Sequence, residues 1–145
     1  MAISTRRSRQ TSNPYRHIKR EDGKRSGLEA AVASAFGDAP VKGEKDIKAI
    51  EYRNNLVKKY HPDFELPNGI LIECKGWLKV ADRTKHLCIQ AQHPELDIRF
   101  VFSNPNAKIG KGSKTTYADW CVKHHFKYAK GLVPQEWINE RKNEN

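Results

Sequence analysis

Pro62-Asp63-Phe64-Glu65-Leu66-Pro67-Asn68-Gly69-Ile70-Leu71-Ile72-Glu73-Cys74-Lys75 is the stretch on which the reading of the fold turns. Two short apolar runs flank Pro67-Asn68-Gly69. Proline at the first loop position and glycine at the last are the chemistry of a type I turn closed by a glycine bulge. A three-residue loop sets Leu66 against Ile70; counting back then puts Glu65 opposite Leu71, Phe64 opposite Ile72, Asp63 opposite Glu73 and His61 opposite Lys75. Strand side chains alternate, so Leu71, Glu73 and Lys75 share one face while Ile70, Ile72 and Cys74 share the other, which reads as core. A two-residue Asn68-Gly69 loop would instead face Asp63 with Cys74 and split the carboxylates between faces; the proline favours the longer loop.

Directly opposed strand residues have Cβ atoms roughly 4.5–5.5 Å apart, and like charges so placed repel. A divalent cation reverses that sign. With a lysine two residues beyond Glu73 on the same face, the pattern Asp63-x9-Glu73-x-Lys75 is the arrangement expected of a metal-dependent phosphodiesterase site. Taken alone it is a weak pattern, and for any random Asp-and-Glu pair an ordinary hairpin with a solvated charged face is the better reading. Hard oxygen ligands suit magnesium or manganese better than zinc.

Charge names the class of partner. The 145 residues suit one domain with a single core. Lys and Arg outnumber Asp and Glu 27 to 17, a net charge of +10, which fits a polyanion better than an acidic metabolite. Arg6, Arg7, Arg9, Arg16, Lys19, Arg20, Lys24 and Arg25 stand against only Glu21 and Asp22 in the first 25 residues. With few apolar residues, positions 1–24 read as a flexible basic arm able to neutralise phosphates, or as a solubilising tail. There is no secretory signal and no apolar run approaching a membrane span, so the expectation is a soluble intracellular protein with no membrane partner. Cys74, Cys88 and Cys121 are widely separated and read as reduced, mostly buried thiols.

Around the hairpin the chain alternates helix and strand. Leu28, Val32, Ala35 and Phe36 are spaced like one helix face and end at Gly37. Ser26 followed by Glu29 is a capping box, which explains Glu29 by local structure. Residues 38–46 read as turn-like and 47–60 as a strand or two. A helix is predicted from about Asp82 to Gln92, a strand over Asp97–Phe102, and a basic loop over Ser103–Lys114 that includes Lys111. Thr115 or Thr116 caps a helix through His124; a short strand follows near Phe126–Tyr128, then a last helical turn at Trp137 and Ile138, with residues 141–145 frayed. This order indicates a mixed α/β domain, a central sheet flanked by helices. The six histidines lack the spacing of a helical zinc site and read as solvated or phosphate-contacting; of the tryptophans, at most Trp77 is given a surface role.

Arg25-Ser26-Gly27-Leu28-Glu29, Pro62-Asp63-Phe64, Leu66-Pro67-Asn68-Gly69-Ile70, Glu73-Cys74-Lys75-Gly76, Asp82-Arg83, Lys85-His86-Leu87 and Gln92-His93-Pro94-Glu95-Leu96-Asp97-Ile98-Arg99 closely resemble phage endonuclease I. Collinear likeness continues through Val101-Phe102-Ser103 and Lys111-Gly112-Ser113 to Pro134 and Trp137-Ile138, with no match between Gly37 and Tyr60. The resemblance implies a restriction-endonuclease-like α/β fold in a nuclease domain over residues 25–140. It also implies an intertwined, domain-swapped homodimer that resolves four-way (Holliday) and other branched DNA by symmetric nicking. It places the family's catalytic residues on Glu29, Asp63, Glu73 and Lys75. Asp63 and Glu73, joined by Glu29, would bind one or two Mg2+ ions, with Mn2+ as substitute and no small-molecule cofactor, leaving 5′-phosphate ends. Arg6, Arg7, Arg9, Arg16, Lys19, Arg20, Arg25 and Lys111 are the candidate DNA contacts, and a phage protein of this kind would work in the host cytoplasm.

Overall fold

The Leu66 N–H donates to the Ile70 carbonyl at 2.8 Å and the Gly69 N–H to the Leu66 carbonyl at 2.9 Å. Gly69 takes φ +87°, a conformation that costs an L side chain roughly 1–2 kcal/mol. The loop therefore has three residues, as the proline and glycine dictate. It joins β4 (Phe64–Glu65) to β5 (Leu71–Lys75) with Phe64 paired to Ile72 and Glu65 to Leu71.

The ladder stops there, one step short of the pairing expected of Asp63. Pro62 has no N–H to continue it, and the Asp63 N–H turns to the carbonyl of Ile72 at 3.1 Å. Asp63 and Phe64 are thus both set against Ile72, two residues against one, as in a β-bulge. Asp63 does not simply face Glu73 across the strands. Its carboxylate instead accepts the Cys74 N–H at 2.8 Å.

The computed structural model describes residues 27–141. The arm over 1–24 with its basic residues, Arg25, the Ser26 cap and residues 142–145 lie outside them. In chain order come α1 (Gly27–Ala35), β1 (Lys42–Gly43), a 3-10 turn (Glu44–Asp46), β2 (Ile50–Asn54), β3 (Leu56–Tyr60), β4, β5, α2 (Val80–Gln92), β6 (Ile98–Phe102), α3 (Tyr117–Lys123), β7 (Tyr128–Lys130) and α4 (Gln135–Asn139). The central sheet has the order β1-β4-β5-β6-β7, antiparallel on the β1 side of β5 and parallel from β5 to β7. The two parallel steps are the helical crossovers β5-α2-β6 and β6-α3-β7, which put a helix over the sheet each time.

Both faces of β5 are therefore buried, not only the one carrying Ile70, Ile72 and Cys74. Leu71 packs with Ile98, Phe100 and Phe102 of β6, Leu78 and Ile89 on the α2 side, and Tyr117 and Trp120 of α3. Ile72 and Cys74 pack on the other face with Leu28 and Val32 of α1, and Trp137 and Ile138 of α4 lean on that cluster. His86 is fully buried, its ring against Tyr60 and Phe100; the solvated role expected of it does not hold. Trp77 alone of the tryptophans is largely exposed, at 66%.

Beside this sheet, β2 and β3 form a separate two-stranded hairpin that reverses direction at Asn55, with Asn54 already paired to Leu56. Asn55 takes φ +63°, which asparagine tolerates better than most residues. The Gln92 amide side chain, at the end of α2, exchanges two hydrogen bonds of 2.7 Å with the backbone of Arg53 and so straps β2 down. Leu56 and Val57 at the tip are 72% and 55% exposed.

Candidate active site

The end of β5 delivers Glu73 and Lys75 next to the start of α2, and the bulge delivers Asp63 beside them. Glu73 is 5% exposed, yet both of its oxygens are held. Oε2 accepts the Tyr60 hydroxyl at 2.7 Å and Oε1 lies 3.2 Å from Lys75 Nζ. Lys75 Nζ is also 3.3 Å from Asp82 Oδ1, while Asp82 Oδ2 accepts the Lys79 N–H at the first turn of α2. The helix start thus fixes the acid that fixes the lysine.

Electrostatics in this corner are dominated by burial. Burial pushes the Asp63 carboxyl up to about 8, with the nearby charges of Glu73 and then Glu29 pushing the same way against the Cys74 N–H and Lys75. The Glu73 carboxyl is also raised by burial, opposed by Lys75, the Tyr60 hydroxyl and Lys85. Burial draws the Lys75 ammonium down, but Glu73 and Asp82 outweigh it, so the lysine stays charged. Burial, then Glu73, hold the Tyr60 hydroxyl protonated, which keeps it a donor.

Glu29 sits in the first turn of α1, where an acidic side chain suits the helix dipole, and its charge acts on Asp63 and Cys74. Among the described residues no three His, Cys, Asp or Glu side chains lie close enough together to hold one ion by themselves. The donor set still fits a hard cation. Half-buried Asp63, whose carboxyl the charge of buried Glu73 pushes up, is relieved by a divalent charge, and magnesium usually keeps several waters on one or two protein carboxylates.

Two members of this corner were not singled out by sequence. Asp82 lies in one of the motifs shared with the family and Tyr60 in none, and only the packed structure turns one hydroxyl and one helix-capping carboxylate toward Glu73 and Lys75. Lys111 lies on an exposed loop, tethered where the Ile109 N–H meets the Thr115 carbonyl.

The phage endonuclease I family profile matches residues 11–145. The chain belongs to the phage endonuclease I family. Two relatives agree with the match. "Endonuclease I" of Escherichia phage T7 is 45% identical over 130 residues, covering 88% of this chain and 86% of that one. "Endodeoxyribonuclease 1" of Enterobacteria phage T3 is 45% identical over 124 residues, covering 83% and 80%. In this phage endonuclease I chain the mixed sheet with flanking helices is thus the scaffold, and no helix among the described residues is long and apolar enough to cross a membrane.

Proposed function

We propose that this chain is a divalent-metal-dependent endodeoxyribonuclease that resolves four-way DNA junctions and other branched DNA as a homodimer. The observation that carries the reading is half-buried Asp63 beside buried Glu73, with Lys75 held charged next to them at the carboxyl end of β5. Clefts at the carboxyl ends of parallel strands are where open α/β sheets take their ligands. Family membership, the names of the two relatives and a net charge of +10 agree with DNA as substrate.

Asp63 and Glu73 would hold the cation, with Glu29 contributing from α1. A bound Mg2+ or Mn2+ lowers the pKa of an attacking water and neutralises charge on the phosphate. Lys75, kept protonated by Glu73 and Asp82, offers its ammonium to the phosphate oxygens as negative charge grows on them. Cleavage on the 3′-oxygen side leaves a 5′-phosphate and a 3′-hydroxyl.

Support for the dimer comes from the β2–β3 register. Its pairs run from Ile50 with Tyr60 to Asn54 with Leu56, each pair equidistant from Asn55. The same set of pairs would be kept between two open copies of the segment related by a twofold axis through Asn55. The commonest hairpin loops need two residues, and this one turns on one. A hinge so short invites exchange between copies.

A magnesium titration on an end-labelled four-way junction tests the reading, alongside Asp63→Ala and Glu73→Ala. Wild type is expected to nick the junction only with metal, and both variants to bind without cutting. No nicking at any metal concentration would leave a basic DNA-binding protein on a nuclease fold. Cutting of linear duplex at one fixed sequence would point to a restriction-type enzyme instead.

A further inference from the structure

Tyr60 ends β3 and stands three residues before Asp63. Its ring has no exposed surface. One neighbour is the edge of His86, with ring centroids 5.1 Å apart, and another is Lys85, whose Nζ lies 4.8 Å from the Tyr60 ring centroid. A ring packed in this way cannot swing, so the position of the hydroxyl is set by the core and not by the carboxylate it meets.

The carboxylate, by contrast, has little of its own to orient it. The terminal torsion of a glutamate is broad and roughly twofold. Lys75 holds Oε1 at 3.2 Å but divides its ammonium with Asp82 at 3.3 Å. The Tyr60 hydroxyl, 2.7 Å from Oε2, is the short and rigidly mounted bond of the set. An oxygen that accepts one such bond retains acceptor capacity for another partner.

We propose that Tyr60 is a positioning residue of this site, its hydroxyl fixing the rotation of the Glu73 carboxylate so that the remaining lone pairs are offered in one orientation. The proposal rests on the nuclease reading above. It adds a consequence for the β2–β3 arm. Because Tyr60 is also the residue paired with Ile50 in the arm's ladder, the arm and the active site share one side chain.

Tyr60→Phe removes the hydroxyl and keeps the ring. The measurements are thermal unfolding, junction affinity without metal, Mn2+ affinity by electron paramagnetic resonance without DNA, and single-turnover junction cleavage. Partners that orient a metal ligand typically cost about 10–100-fold in metal affinity or activity when removed, and that loss is expected in the last two measurements with the first two near wild type. Glu73→Ala already removes what Tyr60 orients, so adding Tyr60→Phe to it should leave Mn2+ affinity where the single change put it. Wild-type Mn2+ affinity and cleavage in Tyr60→Phe would overturn the proposal, as would a full further loss on top of Glu73→Ala. Unfolding or weakened junction binding of Tyr60→Phe would assign the hydroxyl to stability and overturn it too. Failure of the wild type to bind Mn2+ and cleave would strike the nuclease reading itself and take this role with it.

Discussion

Asp63 keeps a carboxylate where burial makes one costly, and the direction of its shift fixes how the metal-free protein responds to pH. The group sits near 8 when folded, above the roughly 3.9 of an unfolded aspartate. The folded state then holds a proton that the unfolded chain has released, so this stability is present in full below about pH 4 and is lost as pH rises through 8. Asp63→Asn removes the charge. Metal-free Asp63→Asn should therefore melt above wild type at pH 9, by roughly 3–6 °C if about 1 kcal/mol is recovered, and should not cleave. A lower melting temperature at pH 9 would count against the shift. His86 runs the opposite way. Burial, then Lys85 and Lys75, lower it to about 3, and neither ring nitrogen has a hydrogen-bond partner. Its folded value lies below the unfolded 6.5, so the neutral ring contributes stability above pH 6.5 that is lost as pH falls toward 3. His86→Phe, which gives up no hydrogen bond, should flatten the acid limb of a melting-temperature profile between those values. An unchanged limb would show that another group titrates there.

At the scale of elements, what was legible in the sequence is what local chemistry decides. Pro67 and Gly69 fixed the loop length and with it the β4–β5 register; Thr116, whose hydroxyl accepts the Asp119 N–H at 3.0 Å, fixed the start of α3; His93-Pro94 ended α2. The Asp63 bulge was not legible, because it depends on where the Ile72 carbonyl is left once Pro62 breaks the ladder. Nor were the burial of His86 and the second covered face of β5, which follow from two helical crossovers and not from the alternation within one strand. Of the candidate site, Asp63, Glu73 and Lys75 could be proposed from spacing, while Tyr60 and Asp82 required the packing. Asn68 shows how a turn residue chosen for local reasons takes on a tertiary one. Its Oδ1 accepts the Ile70 N–H, and its Nδ2 donates to the carbonyls of Trp137 and Glu140 at 2.7 and 2.8 Å, pinning the end of α4 to the hairpin. Asn68→Asp keeps the acceptor and loses both donors. It should cost about 1–3 kcal/mol in chemical denaturation and free the C-terminal segment to hydrogen exchange before the sheet. Equal protection of residues 135–141 in both proteins would show that Arg99, which pairs with Glu140 and lies over the Trp137 ring, holds α4 unaided.

For the whole molecule the proposed function requires two active sites to act across one branch point, and the β2–β3 arm is where sequence and structure bear on that requirement. The closed hairpin leaves Leu56 and Val57 in solvent and turns on Asn55 alone; in the proposed exchange, pairing with a second copy would keep every rung of the ladder and let the strand run straight. The balance between the two forms should then respond to loop length more than to any contact in the core. Inserting Gly-Asn-Gly after Asn55 gives the reversal the residues that hairpin loops ordinarily use, which relieves the closed form without touching the open one. If the proposed dimer is built by exchange through this arm, the insertion should convert it to monomer in light scattering at micromolar concentration, while Glu73, Tyr60 and Lys75 stay as they are. Cleavage would separate accordingly. Nicks at single strands of a four-way junction should persist, and paired nicks within the lifetime of one complex, read from a supercoiled cruciform plasmid as direct linear product, should fall at least tenfold. A variant that remains dimeric would place the interface elsewhere, and a monomer that still linearises the plasmid directly would detach resolution from dimerisation altogether.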